Sequence, residues 1–191
     1  IERIVARLKL ENADRRYVDG VLSYLRGKPQ LAAAALAETD PMKEPAELGA
    51  FTALIRGSIV ATDRPADALK FLAQARLLNP GTLVEEAAIR RSIAVATALG
   101  DAERFLFLCE DYVRRYLRSP YASQFADALV AGVLALHDKI DLDRLGTITA
   151  VMDREQQKVV YLRIARRAAL DNQAALTEFA TRAAEGIGDV G

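Results

Sequence analysis

The sequence predicts an all-α protein built from stacked antiparallel helical hairpins. Three observations lead there. Apolar residues recur at helical spacing along the chain, and no stretch alternates apolar and polar residues as a half-buried strand does. Ala and Leu abound, aromatic residues make up only 6% and Trp is absent, a composition that favours helix over sheet. Pro41, Pro80 and Pro120 lie 39 and 40 residues apart, each after a small polar residue, Asp40, Asn79 or Ser119. A period of that size marks helix pairs repeated in series.

Taken in order, Ile1, Ile4, Val5 and Leu8 form a short amphipathic turn or two. Asp14 caps a helix with Val18, Val21, Leu22 and Leu25 on its face, closed by Gly27. Pro29 starts a short Ala-rich helix that ends at Asp40-Pro41, and 41–45 is a loop. The next helix runs from Ala46 to about Thr62, with Leu48, Phe51, Leu54, Ile55 and Ile59 apolar. Asp63-Arg64-Pro65 turns the chain into a helix over 66–78, ended by Asn79-Pro80-Gly81. Thr82 and Glu85 form a capping box for a helix that reaches Leu99, where Gly100 ends it and Asp101 caps its successor. There Phe105, Leu108, Cys109, Tyr112, Val113 and Tyr116 make one apolar stripe. Ser119-Pro120 starts the following helix with Pro at its first position, its face Ala122, Phe125, Ala126, Leu129, Val133 and Leu136. Asp141 caps a short helix with Leu145, Ile148 and Met152 inward. Asp153 and Gln156 cap one with Val160, Tyr161, Ile164, Ala165 and Ala168 on one side. Asn172 starts the last, with Leu176, Phe179, Ala180 and Ala183. About ten helices result.

The segment PADALKFLAQARLLNP sharpens the repeat. Ala68, Leu72, Ala75 and Pro80 follow spacings of 4, 3 and 5, which resembles the second-helix half of a tetratricopeptide repeat. Small Ala residues there let two helices approach closely, and the Pro breaks the pair. The expected architecture is therefore a tetratricopeptide-like superhelix. It forms a single helical repeat domain over residues 1–191, with 186–191 a frayed tail.

Bulk chemistry excludes several functions. Hydrophobic residues make up 51% of 191 residues and charged ones 27%, enough to bury a core. Basic and acidic residues number 26 each, and a net charge of zero argues against nucleic acid as the main partner. The single cysteine, Cys109, makes no internal disulfide and no cysteine metal cage. No run of about 18 apolar residues spans a membrane. The opening IERIVARLKL carries charges throughout and is not a signal peptide; beginning at Ile, the chain reads as a fragment of a longer one.

Catalytic patterns are missing: there is no HExxH, GxSxG or Gly-rich phosphate loop. His137 beside Asp138 reads more simply as a helix-terminal His on the dipole than as a His–carboxylate pair. Glu85-Glu86 is explained by capping before acid chemistry. Cys109, within a stripe, reads as a small core residue. No enzyme activity, cofactor or metal is expected. The basic clusters are Arg114, Arg115, Arg118 and Arg163, Arg166, Arg167, the second on one helix face. Arg rows suit an acidic partner segment through bidentate carboxylate contacts; pairing within the domain is the plainer alternative.

Three stretches, PGTLVEEAAIRRSIAVA, YVRRYLRSPYASQFADALV and YLRIARRAAL, together resemble the MotC motility proteins of alphaproteobacterial flagellar systems. The resemblance extends more weakly over most of the chain. It implies a non-enzymatic periplasmic protein that acts with the stator protein MotB in flagellar rotation. It also implies an internal piece of a longer protein. The partner would lie in the groove lined by the first helices of the hairpins, and Arg90, Arg91, Tyr121, Arg163, Arg166 and Arg167 are the candidate partner-binding residues. Two other readings fit stacked hairpins: the superhelical support of a cell-wall lytic enzyme, and a cytoplasmic tetratricopeptide-like adaptor or chaperone.

Overall fold

The computed structural model describes residues 12–188. Among these it contains α-helices, one short 3-10 turn and no strand. The first amphipathic segment expected from Ile1, Ile4, Val5 and Leu8 lies outside the described residues, as do 189–191 of the tail. The chain divides into two compact units, 1–88 and 89–191, and the division falls within helix α5 (Leu83–Leu99).

The first unit holds α1 (Asn12–Leu25), α2 (Pro29–Leu36), a 3-10 turn (Pro41–Lys43), α3 (Ala46–Val60) and α4 (Pro65–Leu78). Gly27 takes a φ of 68° after α1. The Gly27 and Lys28 N–H groups then return to the carbonyls of Tyr24 and Ser23, which satisfies the helix end. Pro29 and Pro65 occupy the first position of α2 and α4, where the missing N–H has no partner to lose. α4 thus begins one residue before the expected Ala66. Asp14 sits inside the first turn of α1 and does not cap it, because the helix already starts at Asn12. Leu25 and Leu48, expected inward, are exposed. Both sit in terminal turns, where the helix offers a neighbour on one side only. α3 and α4 meet through small residues: Ala68, Ala75, Ala50 and Ala53 are fully buried. A Cβ on Gly57 would stand 2.9 Å from the Leu72 Cγ.

The second unit holds the rest of α5, then α6 (Ala102–Arg115), α7 (Ala122–Ala135), α8 (Leu142–Thr149), α9 (Arg154–Leu170) and α10 (Ala174–Ile187). Gly100, with φ 68°, closes α5, and the Asp101 carboxylate accepts from the Arg104 N–H at 3.0 Å to open α6. Asp141 and Asp153 cap α8 and α9 in the same way, at 3.0 and 2.8 Å. The predicted stripe of α6 is buried as a whole, and Tyr112 stacks on Phe125 of α7 with ring centroids 4.0 Å apart. α7 packs on α9, and α6 packs on α8. Equivalent helices of successive hairpins therefore lie side by side, as stacking in one direction requires.

Three further boundaries differ from expectation. α7 opens at Ala122, so Pro120 belongs to the preceding turn. There the Ser119 hydroxyl accepts from the Tyr121 N–H at 3.1 Å and holds the chain in a turn for two further residues. Asn172 does not start α10 but ends α9, with φ 56°. The Gln173 N–H reaches the Ala168 carbonyl at 2.8 Å, the closure that Gly makes elsewhere in this chain. Finally, the box at α5 is displaced by one residue. The Thr82 hydroxyl accepts from the Val84 N–H at 3.3 Å while the Glu85 carboxylate accepts from Gly81, not Thr82, at 2.7 Å.

Candidate partner-binding surface

The second unit brings most of the candidate residues to α7 and its neighbours. The Tyr121, Gln124 and Asp127 positions lie three apart along one side of α7. From α5, Arg90 reaches the first two: its guanidinium donates to the Gln124 side-chain oxygen and lies 5.1 Å from the Tyr121 ring centroid. From α9, Arg163 donates to Asp127 at 2.6 Å. Arg91 is half-buried and engaged in an interaction of its own. Arg166 and Arg167 are exposed, and Arg167 pairs along its own helix with Asp171 at 3.0 Å. Arg90, Tyr121 and Arg163 are therefore held along α7, whereas Arg167 is turned to its own helix end.

Between α7 and α9 runs a groove of about 380 Å³. Ala122 and Ala126 line one wall, Val159 and Arg163 the other, with Met152 and Phe125 beneath. The floor is apolar. Asp127, Glu155 and Arg163 supply charge at the edge. A surface of this kind offers van der Waals contact and charge pairing, not a catalytic constellation.

The residues that resemble catalytic groups have structural surroundings. Cys109 is fully buried, and burial pushes its thiol well above the ordinary cysteine range, with Glu110 adding in the same direction. His137 stands at the end of α7, with Nε2 3.0 Å from Asp138 and Nδ1 3.1 Å from the Leu134 carbonyl. The His–carboxylate contact exists, but it is made at a helix terminus with an exposed neighbour. Glu85 and Glu86 are buried, and Glu85 serves the Gly81 N–H. No group of three or more His, Cys, Asp or Glu side chains placed to hold a metal occurs among the described residues. No described helix is long and apolar enough to cross a membrane.

Sequence reasoning named the cations but missed what receives them. Gln124 and Asp127 carry no motif of their own. A signal was present in the separations: Arg90 and Gln124 are 34 apart, Glu110 and Arg144 34, Asp127 and Arg163 36. Each pair joins equivalent helices of adjacent hairpins, so opposite or complementary polar groups about one repeat apart mark the stacking. The Arg144 pair also has an electrostatic consequence. Its hydrogen bond to Glu110 at 2.6 Å holds that carboxyl below the ordinary glutamate range.

Comparison with known proteins places these features. A family model described as Chemotaxis protein MotC matches residues 1–190. The Chemotaxis protein MotC of Rhizobium meliloti (strain 1021) is 40% identical over 174 residues, 91% of this chain. That stretch is 40% of the relative, so the chain spans about two fifths of its length. No solved structure matches the chain.

Proposed function

The chain belongs to the MotC family, and from that premise we propose that it is a non-enzymatic part of a periplasmic flagellar motor protein. In this reading it binds the periplasmic part of the stator protein MotB and so supports flagellar rotation and motility. The family match across residues 1–190 is the observation that carries it. The site chemistry supports it: Arg90, Tyr121 and Arg163 converge on α7 beside an apolar groove, a combination suited to a protein partner. Arg91, Arg166 and Arg167 are further proposed members of that surface, Arg166 as an exposed charge and Arg91 and Arg167 from their present interactions. The buried, high-pKa Cys109 and the helix-end setting of His137 support the absence of catalysis. The whole chain is proposed to act as one repeat domain.

The test is a titration of this chain against the purified periplasmic region of MotB at low salt. Binding of about micromolar strength that weakens with added salt is expected, as suits a modest, charged interface. No binding at several hundred micromolar with both proteins folded overturns the proposal for this part of the protein. Fractionation of cells carrying the tagged full-length protein tests the compartment, with recovery in the periplasmic fraction expected.

A further inference from the structure

Helix α9 enters the core on one side only, through Val160, Tyr161, Ile164 and Ala168. Its opposite side is not the polar face that a surface helix ordinarily presents. Val159 is 49% exposed, Leu162 51% and Leu170 71%. At 3.6 residues per turn these three fall on one strip with Arg163 and Arg166, opposite the buried side. A groove flanks each side of the first half of the strip. One is the groove past Val159 and Arg163 already described; the other, of about 390 Å³, lies between α9 and α10 past Leu162 and Lys158. α9 also concentrates charge. It carries five basic residues and one acidic residue, a net charge of +4, in a chain whose net charge is zero.

On the strip itself the basic residues are Arg163 and Arg166, with the exposed Glu155 at its N-terminal end, so its positive charge is concentrated at 163–166 beside Val159, Leu162 and Leu170. That part of the strip complements a surface that is apolar and negative. An exposed helix face of this kind packs a second helix by interdigitating side-chain rows. We infer that the outer strip of α9 docks an acidic amphipathic helix of the partner. Its apolar residues seat over Val159 and Leu162, and its carboxylates pair with Arg163 and Arg166. The inference rests on the reading of the chain as a protein-binding module and adds the chemistry of the segment bound. Arg166 is exposed and pairs with no acidic side chain among the described residues. Arg163 holds Asp127, but with 43% and 65% of the two side chains exposed the pair is a weak surface contact that exchanges readily for a partner carboxylate. The mode is a helix laid along a groove, read by anchors three and four residues apart.

The experiment uses two designed amphipathic peptides with the same leucine strip, one flanked by glutamates and one by lysines. Each is titrated into the 191-residue chain at low salt and followed by amide NMR, in parallel with the periplasmic region of MotB. The glutamate peptide is expected to bind and to shift amides of 159–170; the lysine peptide is not. R163E/R166E should weaken the glutamate peptide by roughly tenfold or more and admit the lysine peptide. V159S/L162S, at unchanged helicity, should weaken the glutamate peptide as well. Equal binding of both peptides, shifts confined to other helices, or no binding of the glutamate peptide overturns the inference. If MotB binds R163E/R166E as tightly as the parent, the strip is overturned and the motor reading stands. If α9 binds the glutamate peptide and MotB does not bind, the partner's identity is wrong and the strip stands.

Discussion

Single residues decide the chemistry of this protein by where they are buried. Cys109 lies within the core with Phe105 and Tyr112, and its thiol is pushed up by desolvation. Native protein should therefore react with a thiol reagent only as fast as it opens; immediate stoichiometric labelling would refute this. Cys109→Ser should lower stability by about 1–3 kcal/mol, measured by urea unfolding, since a buried hydroxyl lacks an assured partner. Glu110 behaves oppositely. Its carboxyl is lowered first by the hydrogen bond from Arg144, opposed by burial. A lowered carboxyl adds stability that is complete above the ordinary glutamate range and is lost as pH falls through the lowered value. Arg144 donates to Glu103 as well, so it ties two carboxylates of α6 to α8. Glu110→Gln should cost about 1 kcal/mol at neutral pH, and the loss should shrink toward acid. A cost that stays constant from neutral pH down to strong acid would remove the ion pair from the account.

At the scale of elements, close approach and capping set the hairpins. A Cβ on Gly132 of α7 would fall 2.0 Å from the Phe105 ring of α6. Gly132→Ala should destabilise by about 1–3 kcal/mol, although Ala is the better helix former, because overpacking outweighs the propensity gain. Thermal unfolding of the variant checks the sign. The α8–α9 junction rests on a buried polar pair. The Thr149 hydroxyl faces the Leu145 and Gly146 carbonyls at 3.1 and 3.0 Å, so its proton is committed there and the Tyr161 hydroxyl donates to its oxygen. Tyr161→Phe should cost about 1 kcal/mol by removing that donor. An unchanged denaturation midpoint would show the bond adds nothing.

At the scale of the whole molecule the stability argument is one of neighbours. Each hairpin of the second unit buries its apolar face on the next, through α6 on α8 and α7 on α9, while the Tyr161–Phe179 edge contact closes the last hairpin, α9 on α10. A surface on α9 can then change without unmaking the stack, because Arg163 and Arg166 lie outside the core. In the full-length protein, R163E/R166E should shrink swim rings in soft agar while the cellular level of the protein stays unchanged. Normal motility in that strain would separate α9 from the motor role.

The sequence by itself determined the all-helical class, the hairpin period and the main core stripes of α6 to α10, though not the buried Ile89, Ile93 and Ala96 of α5 or Leu106, Val130 and Ile140. These are local or periodic properties: a stripe such as Phe105–Tyr116 needs only the helical repeat to be read. Caps at Asp101, Asp141 and Asp153 were legible for the same reason, since donor and acceptor stand within three residues. Boundaries at Pro120 and Asn172 were not, because a turn residue fits either the end of one helix or the start of the next until hydrogen bonds choose. The candidate cations were visible as types, but their partners lie 34 or 36 residues away. Only tertiary structure decided that Arg90 and Arg163 meet α7, that Val159 and Leu162 face outward, and that Arg166 is exposed. Which face of a helix is covered depends on the neighbours packed against it, and no periodicity within one helix records them.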